Sequence, residues 1–196
     1  MKPLIIIGSG GHAKSIIDIL ETSKEWEILG LVSNDNIKSL LGYKIIGQDK
    51  DLEKIILNTN KAILGVGQIG SPEKRISLTR KLEKLNFEFP IIASANSIVS
   101  QSSRVASGTT IGHGAIINAN AKIGKHCIIN SCSLIEHDVT IGDFTHVSTG
   151  AIINGGVEIG DRVFIGSGAI IREGLKIPSD SIISCGTRIM GWPNKT

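Results

Sequence analysis

Residues 141–170 read IGDFTHVSTGAIINGGVEIGDRVFIGSGAI, and every sixth residue from Ile141 onward is Ile or Val. The same beat runs outward in both directions: hexads starting at 99 and ending with the one at 183 carry Ile or Val at all fifteen first positions, without an insertion. A period of six belongs neither to an α-helix nor to an uninterrupted strand. It suits a chain that lays down a short strand, turns a corner and repeats. The fifth position is small or β-branched (Ser103, Ala115, Ala121, Val139, Thr145, Ala151), with Leu175 the bulky exception. The fourth is Gly at 108, 114, 150, 156, 168, 174 and 186, and Asn120, His126, Asp138 and Asp180 fill others. Those residue types tolerate a left-handed backbone, so the corner falls near the fourth residue. Three corners close a coil of eighteen residues, and residues 99–188 form five coils of a triangular parallel solenoid. The coils stack at strand spacing, about 4.8 Å. A flat-sided prism of this kind, with apolar outer residues, is expected to trimerise side against side.

The first half has a different rhythm. LIIIG (4–8), EILGLV (27–32) and AILGVG (62–67) read as strands. Helices are expected from about Gly11 to Ser23, near 49–58, and from Ser71-Pro72-Glu73, where serine, proline and an acid make a helix start. Strands alternating with helices predict a Rossmann-like α/β domain with a parallel sheet over residues 1–92, closed by FEFPII. The β-helix then takes residues 93–196.

Composition narrows the classes of function. A net charge of +3 and dispersed Lys and Arg argue against nucleic acid as the main partner, and 4% aromatics with 23 glycines suit a fold that stacks small and β-branched residues. Cys127, Cys132 and Cys185 form no CxxC pair and are expected to be reduced packing residues of a cytoplasmic protein. No apolar span of eighteen residues is present, so membrane insertion is not expected.

The repeat itself does not call for Glu136-His137-Asp138. A carboxylate beside imidazole fixes its tautomer and raises its basicity, as a general base near neutral pH requires; Glu136 and Asp138 are both candidates for that partner. His146 lies nine residues, half a coil, from His137, so the two occupy opposite sides of one prism and only a neighbouring protomer can bring them together. His113 and the corner residue His126 are expected to be structural. No second histidine lies a few residues from His137, so no metal site is expected. In GSGGHAKSI (8–16), glycines follow a strand and open a helix, the order of a phosphate-binding turn, with His12 and Lys14 near enough to neutralise an anion. Asp35, after the second strand, is placed to accept from a ribose or a base.

Taken together, GSGGHA, GLVSND, LGVGQIG, the hexads with EHDVTIGDFTHVSTGA and the closing GWPNK resemble the sugar acetyltransferases of the bacillosamine and sialic acid pathways, the PglD/NeuD type of hexapeptide-repeat acyltransferases. The resemblance covers essentially the whole chain. It implies a left-handed β-helix, a homotrimer, a nucleotide-linked amino sugar in the N-terminal domain and acetyl-CoA between adjacent prisms. It further implies N-acetylation of a UDP-4-amino-4,6-dideoxy-sugar type of acceptor for surface glycan or glycoprotein synthesis. Carried over, His137 is the general base and Asp138 the acid that orients it, while His146, Gly155 and Lys195 contact acetyl-CoA. Gly8, Gly10, Gly11, His12 and Asp35 form the nucleotide-sugar site. Two departures stand out: Ser33-Asn34-Asp35 replaces the usual double acid, and Trp192 replaces a small or aliphatic residue near the end. Two rival functions are compatible with the residues: O-acetylation of a sialic-acid-like sugar carried on CMP, and non-catalytic nucleotide-sugar binding as the partner of a biosynthetic enzyme.

Overall fold

The computed structural model describes residues 1–191. The chain divides into two compact units, residues 1–68 with 73–95 and residues 69–72 with the chain from 96 onward.

The first unit is a three-layer α/β fold. Its sheet contains β1 (Lys2–Ile7), β2 (Trp26–Val32), β3 (Ser39–Leu40), β4 (Tyr43–Gly47) and β5 (Ala62–Leu64), in the order β3-β4-β2-β1-β5. β1 runs parallel to β2 and β5, and β2 parallel to β4. The helices are α1 (Gly11–Ser23), α2 (Leu52–Ile55) and α3 (Glu73–Lys84). β1 is apolar at every residue from Leu4 to Ile7 because both its faces are covered. Leu4 and Ile6 pack with Ile16, Ile17 and Leu20 of α1. Ile5 and Ile7 pack on the other face with Leu52 of α2, Leu82 of α3 and Phe87. FEFPII closes this unit, Glu88 bridging to Lys61 beside β5.

Two elements differ from the sequence reading. The helix expected near 49–58 is a 3-10 turn, Asp49–Asp51, followed by the single helical turn α2. The β3–β4 hairpin has no counterpart in the sequence pattern: Leu41 and Gly42 both have positive φ, 47° and 86°, and make the two-residue turn. A leucine at such a position carries none of the sequence signal that Asn-Gly would.

The second unit is the left-handed parallel β-helix. Strand pairs recur at a fixed offset of eighteen residues on three faces. One outer ladder runs Ile98, Ile116, Leu134, Ile152, Ile170, Arg188. The second runs Arg104, Lys122, Thr140, Glu158, Lys176. The third runs Thr110, Ile128, His146, Phe164, Ile182. First-position residues such as Ile135, Val147, Ile153 and Ile165 are fully buried and fill the prism together with small fifth-position residues such as Ala115, Ala121 and Ala151. Thr109 and Thr145, buried at that same position, lose nothing by it. Thr145 Oγ1 donates to the Gly160 carbonyl at 3.0 Å and accepts from the Val163 amide at 3.1 Å, and Thr109 does the same with Gly124 and Cys127.

Every fourth hexad position from 108 to 186 is left-handed, with φ between 53° and 72°. The corner rule therefore holds even at Cys132, Phe144 and Arg162, which no propensity would place there. Stacking between coils offsets the local strain: Phe144 lies 4.9 Å from the His126 ring, and the Arg162 guanidinium grips Asp180 through two bonds of 2.7 and 2.8 Å.

Candidate active site and nucleotide pocket

At the corner between the first and second outer faces, immediately after strand Leu134–Ile135, three polar residues follow in sequence. Ile135 and Val139 are buried in the prism on either side, so Glu136, His137 and Asp138 are held at the surface by the repeat itself. His137 Nδ1 lies 2.8 Å from Asp138 Oδ2. Glu136 does not compete for the imidazole: its Oε2 accepts from Asn118 Nδ2 at 3.0 Å. The choice left open by the sequence thus falls to Asp138. An ionised Asp138 accepts a hydrogen bond from Nδ1–H, which leaves the lone pair on Nε2, where a proton could be taken up. The hydrogen bond from Asn120, foremost, and that from His137 hold the Asp138 carboxyl below the ordinary carboxylate range, so it remains ionised at neutral pH.

A shallow cavity surrounds this corner, lined by Glu136, His137, Asp138, Asn154, Gly155, Gly156, Glu173 and Gly174. Gly155 stands one whole coil above His137, and a Cβ there would lie 2.7 Å from His137 Nε2. His137 and Asp138 side chains are 64% and 54% exposed, so in a single chain the imidazole faces solvent.

His146 lies on the third outer ladder, across the prism from the His137 corner. Its Nε2 is 3.2 Å from Asn130 Nδ2 and 3.4 Å from Ser148 Oγ, and its ring meets Phe164 edge-on at 5.3 Å. It is 8% exposed. The two histidines therefore do not converge within one chain. His126 is buried in its corner stack, and the His113 carbonyl accepts from the Cys132 amide at 2.8 Å. Lys195 and Trp192 lie outside the described residues.

In the first unit, Gly8 (φ 106°) lets the chain leave β1 and swing back beside Val66. The turn that follows, together with Asp35, Ser33, Asp49, Lys74 and the Gly65–Gly67 loop, lines a second cavity. Gly8, Gly10 and Asp35 lie on its wall. Gly11 and His12 open α1 behind it, His12 packing its Cβ 3.3 Å from the point where a side chain on Gly67 would begin. Ser33, which replaces an acid of the usual pair, donates to Asp35 Oδ2 at 3.1 Å, and Ser9 donates to the same oxygen. Those bonds, Ser9 first, and the charge of Lys74 hold the Asp35 carboxyl below its ordinary range. The cavity thus has an ionised carboxylate, a lysine and the glycine turn before the amino end of α1 along its wall.

Sequence reasoning missed Ser9, Lys74, Asn120 and Glu173. The last two were within reach, since Asn120 is Asp138 less one coil and Glu173 is His137 plus two. Ser9 and Lys74 come from separate loops and carry no such signal. Among the described residues no three His, Cys, Asp or Glu side chains are grouped to hold a metal ion, and no helix is long and apolar enough to cross a membrane.

Residues 3–82 match the PglD N-terminal domain family, and residues 138–173 match the bacterial transferase hexapeptide (six repeats). No curated protein sequence matches the chain. Among solved structures, PerB from Caulobacter crescentus, in complex with CoA and GDP-perosamine, is 30% identical, with 97% of this chain and 90% of that one covered and a TM-score of 0.90. A histidine-to-asparagine mutant of perosamine N-acetyltransferase from the same bacterium, with the same two ligands, is 29% identical at the same coverage, with a TM-score of 0.91. The acetyltransferase domain of PglB from Neisseria gonorrhoeae FA1090 has the same fold: 24% identity, 100% and 94% coverage, TM-score 0.91. With the α/β unit, the uninterrupted hexads and this likeness over nearly its full length, the chain belongs to the PglD/NeuD type of nucleotide-sugar acetyltransferases within the hexapeptide-repeat superfamily.

Proposed function

We propose that the protein is an acetyl-CoA-dependent N-acetyltransferase acting on the amino group of a nucleotide-linked sugar. The observation that carries this reading is the His137–Asp138 pair, 2.8 Å apart, with Nε2 turned to an open cavity. In the reaction His137 Nε2 takes a proton from the acceptor amine as its nitrogen attacks the thioester carbonyl. The tetrahedral intermediate then collapses, the C–S bond breaks, and the departing sulfur takes the proton held at His137 Nε2, so that CoA leaves as the thiol and the base is regenerated. Donors near His146 and the Gly155 amide stabilise the oxyanion. No acyl-enzyme is required, and none of Cys127, Cys132 and Cys185 lines the cavity.

An amine is favoured over a hydroxyl acceptor by the cavity's charge. Glu136, Asp138 and Glu173 line it and, among the described residues, no Lys or Arg does, which suits a substrate that arrives as an ammonium ion and releases one proton to solvent before its lone pair attacks. The N-terminal cavity, with Gly8, Gly10, Ser33, Asp35 and Lys74, takes the nucleotide diphosphate. The relative holding GDP-perosamine favours a guanine nucleotide over the UDP expected from the sequence. In this reading residues 1–92 hold the nucleotide-linked sugar and residues 93–196 carry the transfer, with Lys195 on the coenzyme.

The working unit is a homotrimer in the cytoplasm. The first outer ladder supports the trimer, since Ile98, Ile116, Leu134, Ile152 and Ile170 form an apolar row along one flat side. The three cysteines, dispersed and without CxxC spacing, support a reducing compartment.

Acetyl-CoA consumption measured with GDP-perosamine, UDP-4-amino sugars, CMP-sialic acid and free sialic acid tests the proposal. Turnover with an amino sugar and loss of it in His137→Ala are expected. Turnover confined to the sialic acids, or nucleotide-sugar binding with no turnover, would overturn it.

A further inference from the structure

We infer that the base is positioned by the two coils that sandwich it: Asn120, one coil before, acts through Asp138, and Gly155, one coil after, acts through the space it leaves for the imidazole. The inference rests on the reading of His137 as general base.

Asn120 and Asp138 occupy the same corner in successive coils, both left-handed, with φ of 60° and 61°, so their side chains leave the backbone one above the other. Asn120 Nδ2 donates to Asp138 Oδ1 at 2.6 Å, while Oδ2 of the same carboxylate holds His137 Nδ1 at 2.8 Å. One oxygen serves each neighbour, which fixes the rotation of a side chain that is 54% exposed and would otherwise turn toward water. One coil further down, the backbone N–H of Asn120 donates to Ser102 Oγ at 3.2 Å, which holds the corner from which the Asn120 side chain leaves. Asn120 is neutral, so it orients Asp138 without cancelling the charge that His137 meets.

Gly155 is not in the left-handed region, so its backbone would accept a side chain. The obstacle is the base. A Cβ at 155 would lie 2.7 Å from His137 Nε2 and 2.8 Å from Cε1, the reacting end of the ring. Alanine there must swing the imidazole away from Asp138 or fill the space into which Nε2 presents its lone pair.

The test compares Asn120→Gly, which keeps a left-handed corner and removes the amide, and Gly155→Ala, each alone and combined with Asp138→Asn or His137→Ala respectively. We expect Asn120→Gly to lower kcat about tenfold with both KM values within about twofold, and to add nothing to Asp138→Asn. Gly155→Ala should lower kcat by about 10- to 100-fold and add nothing in the His137→Ala background. That double variant lacks the clashing ring, so it should melt like His137→Ala and show that the loss is not misfolding. Losses that multiply in the doubles, parental turnover of either single variant, or a Gly155→Ala defect confined to the KM of acetyl-CoA would overturn the inference. Parental turnover of His137→Ala would instead remove the base assignment itself and the inference with it.

Discussion

Two histidines half a coil apart, one at a corner and the other on the opposite face, give a test of where each active site is completed. The perturbation is coexpression of His137→Ala with His146→Ala chains. In a cyclic trimer whose sites lie between neighbours, each site takes His137 from one chain and His146 from the next. With equal, random mixing, half of all sites have an intact His137, and half of those face an intact His146, so about one quarter regain full turnover. General-base loss leaves the His137→Ala sites at about 10⁻² to 10⁻⁴ of the parent. If His146 contributes about tenfold, or 1.4 kcal/mol, its loss leaves about one tenth. The mixed preparation should then run at a little above 25% of parental activity, against about 5% for the average of the two mutants measured apart. The assay is CoA release at saturating substrates, with mixing confirmed by native mass spectrometry. Activity at the 5% level in confirmed mixed trimers would refute the reasoning, placing both histidines' work in one chain or leaving His146 to its contacts with Asn130 and Ser148.

Other outcomes follow from single positions. Asp138→Asn should lower kcat less than His137→Ala does, because it removes the orienting charge and leaves the base, and Glu136→Gln should do less still, because Glu136 is bonded to Asn118; steady-state kinetics decides, and the reverse order would remove Asp138 as the partner. Gly142→Ala should destabilise more than Gly150→Ala, although only Gly150 has positive φ (66°), because a Cβ at 142 would lie 2.6 Å from the Asp161 amide nitrogen whereas nothing lies within 4 Å at 150. Forced backbone shifts cost about 1–3 kcal/mol or more, roughly 2–4 °C of Tm per kcal/mol in a chain this size, and the left-handed strain about 1 kcal/mol; a Gly150→Ala melt lower than that of Gly142→Ala would contradict this. The folded-state pKa values of Asp35, Glu88, Asp138 and Asp180 lie below their ordinary 3.8 or 4.5, so the folded form binds fewer protons than the unfolded one. Their stabilisation is complete above about pH 4.5 and fades as pH falls through the lowered values. Urea midpoints at pH 7, 4.5 and 2.5 should show this, with a shallower acid fall in Asp180→Asn, which loses the Arg162 fork.

The sequence by itself determined the solenoid, its coil length and its corners, because a six-residue period repeated fifteen times admits one register, and a slip would bury polar residues and expose the Ile/Val set. It also singled out His137, Asp138 and Asp35, since chemistry-bearing residues stand out where the repeat does not call for them. Tertiary structure decided whatever depends on which side chains stack between coils or meet between loops. Glu136 and Asp138 flank the same imidazole in sequence, and only the Asn118 and Asn120 side chains one coil below separate their roles. Ser9 and Ser33 lie 24 residues apart and meet only because β1 and β2 are adjacent parallel strands that end together at Asp35. The β3–β4 hairpin turns at Leu41-Gly42 because β4 pairs with β2 and holds the turn in place, so tertiary pairing overrode a local sequence that carries little turn signal.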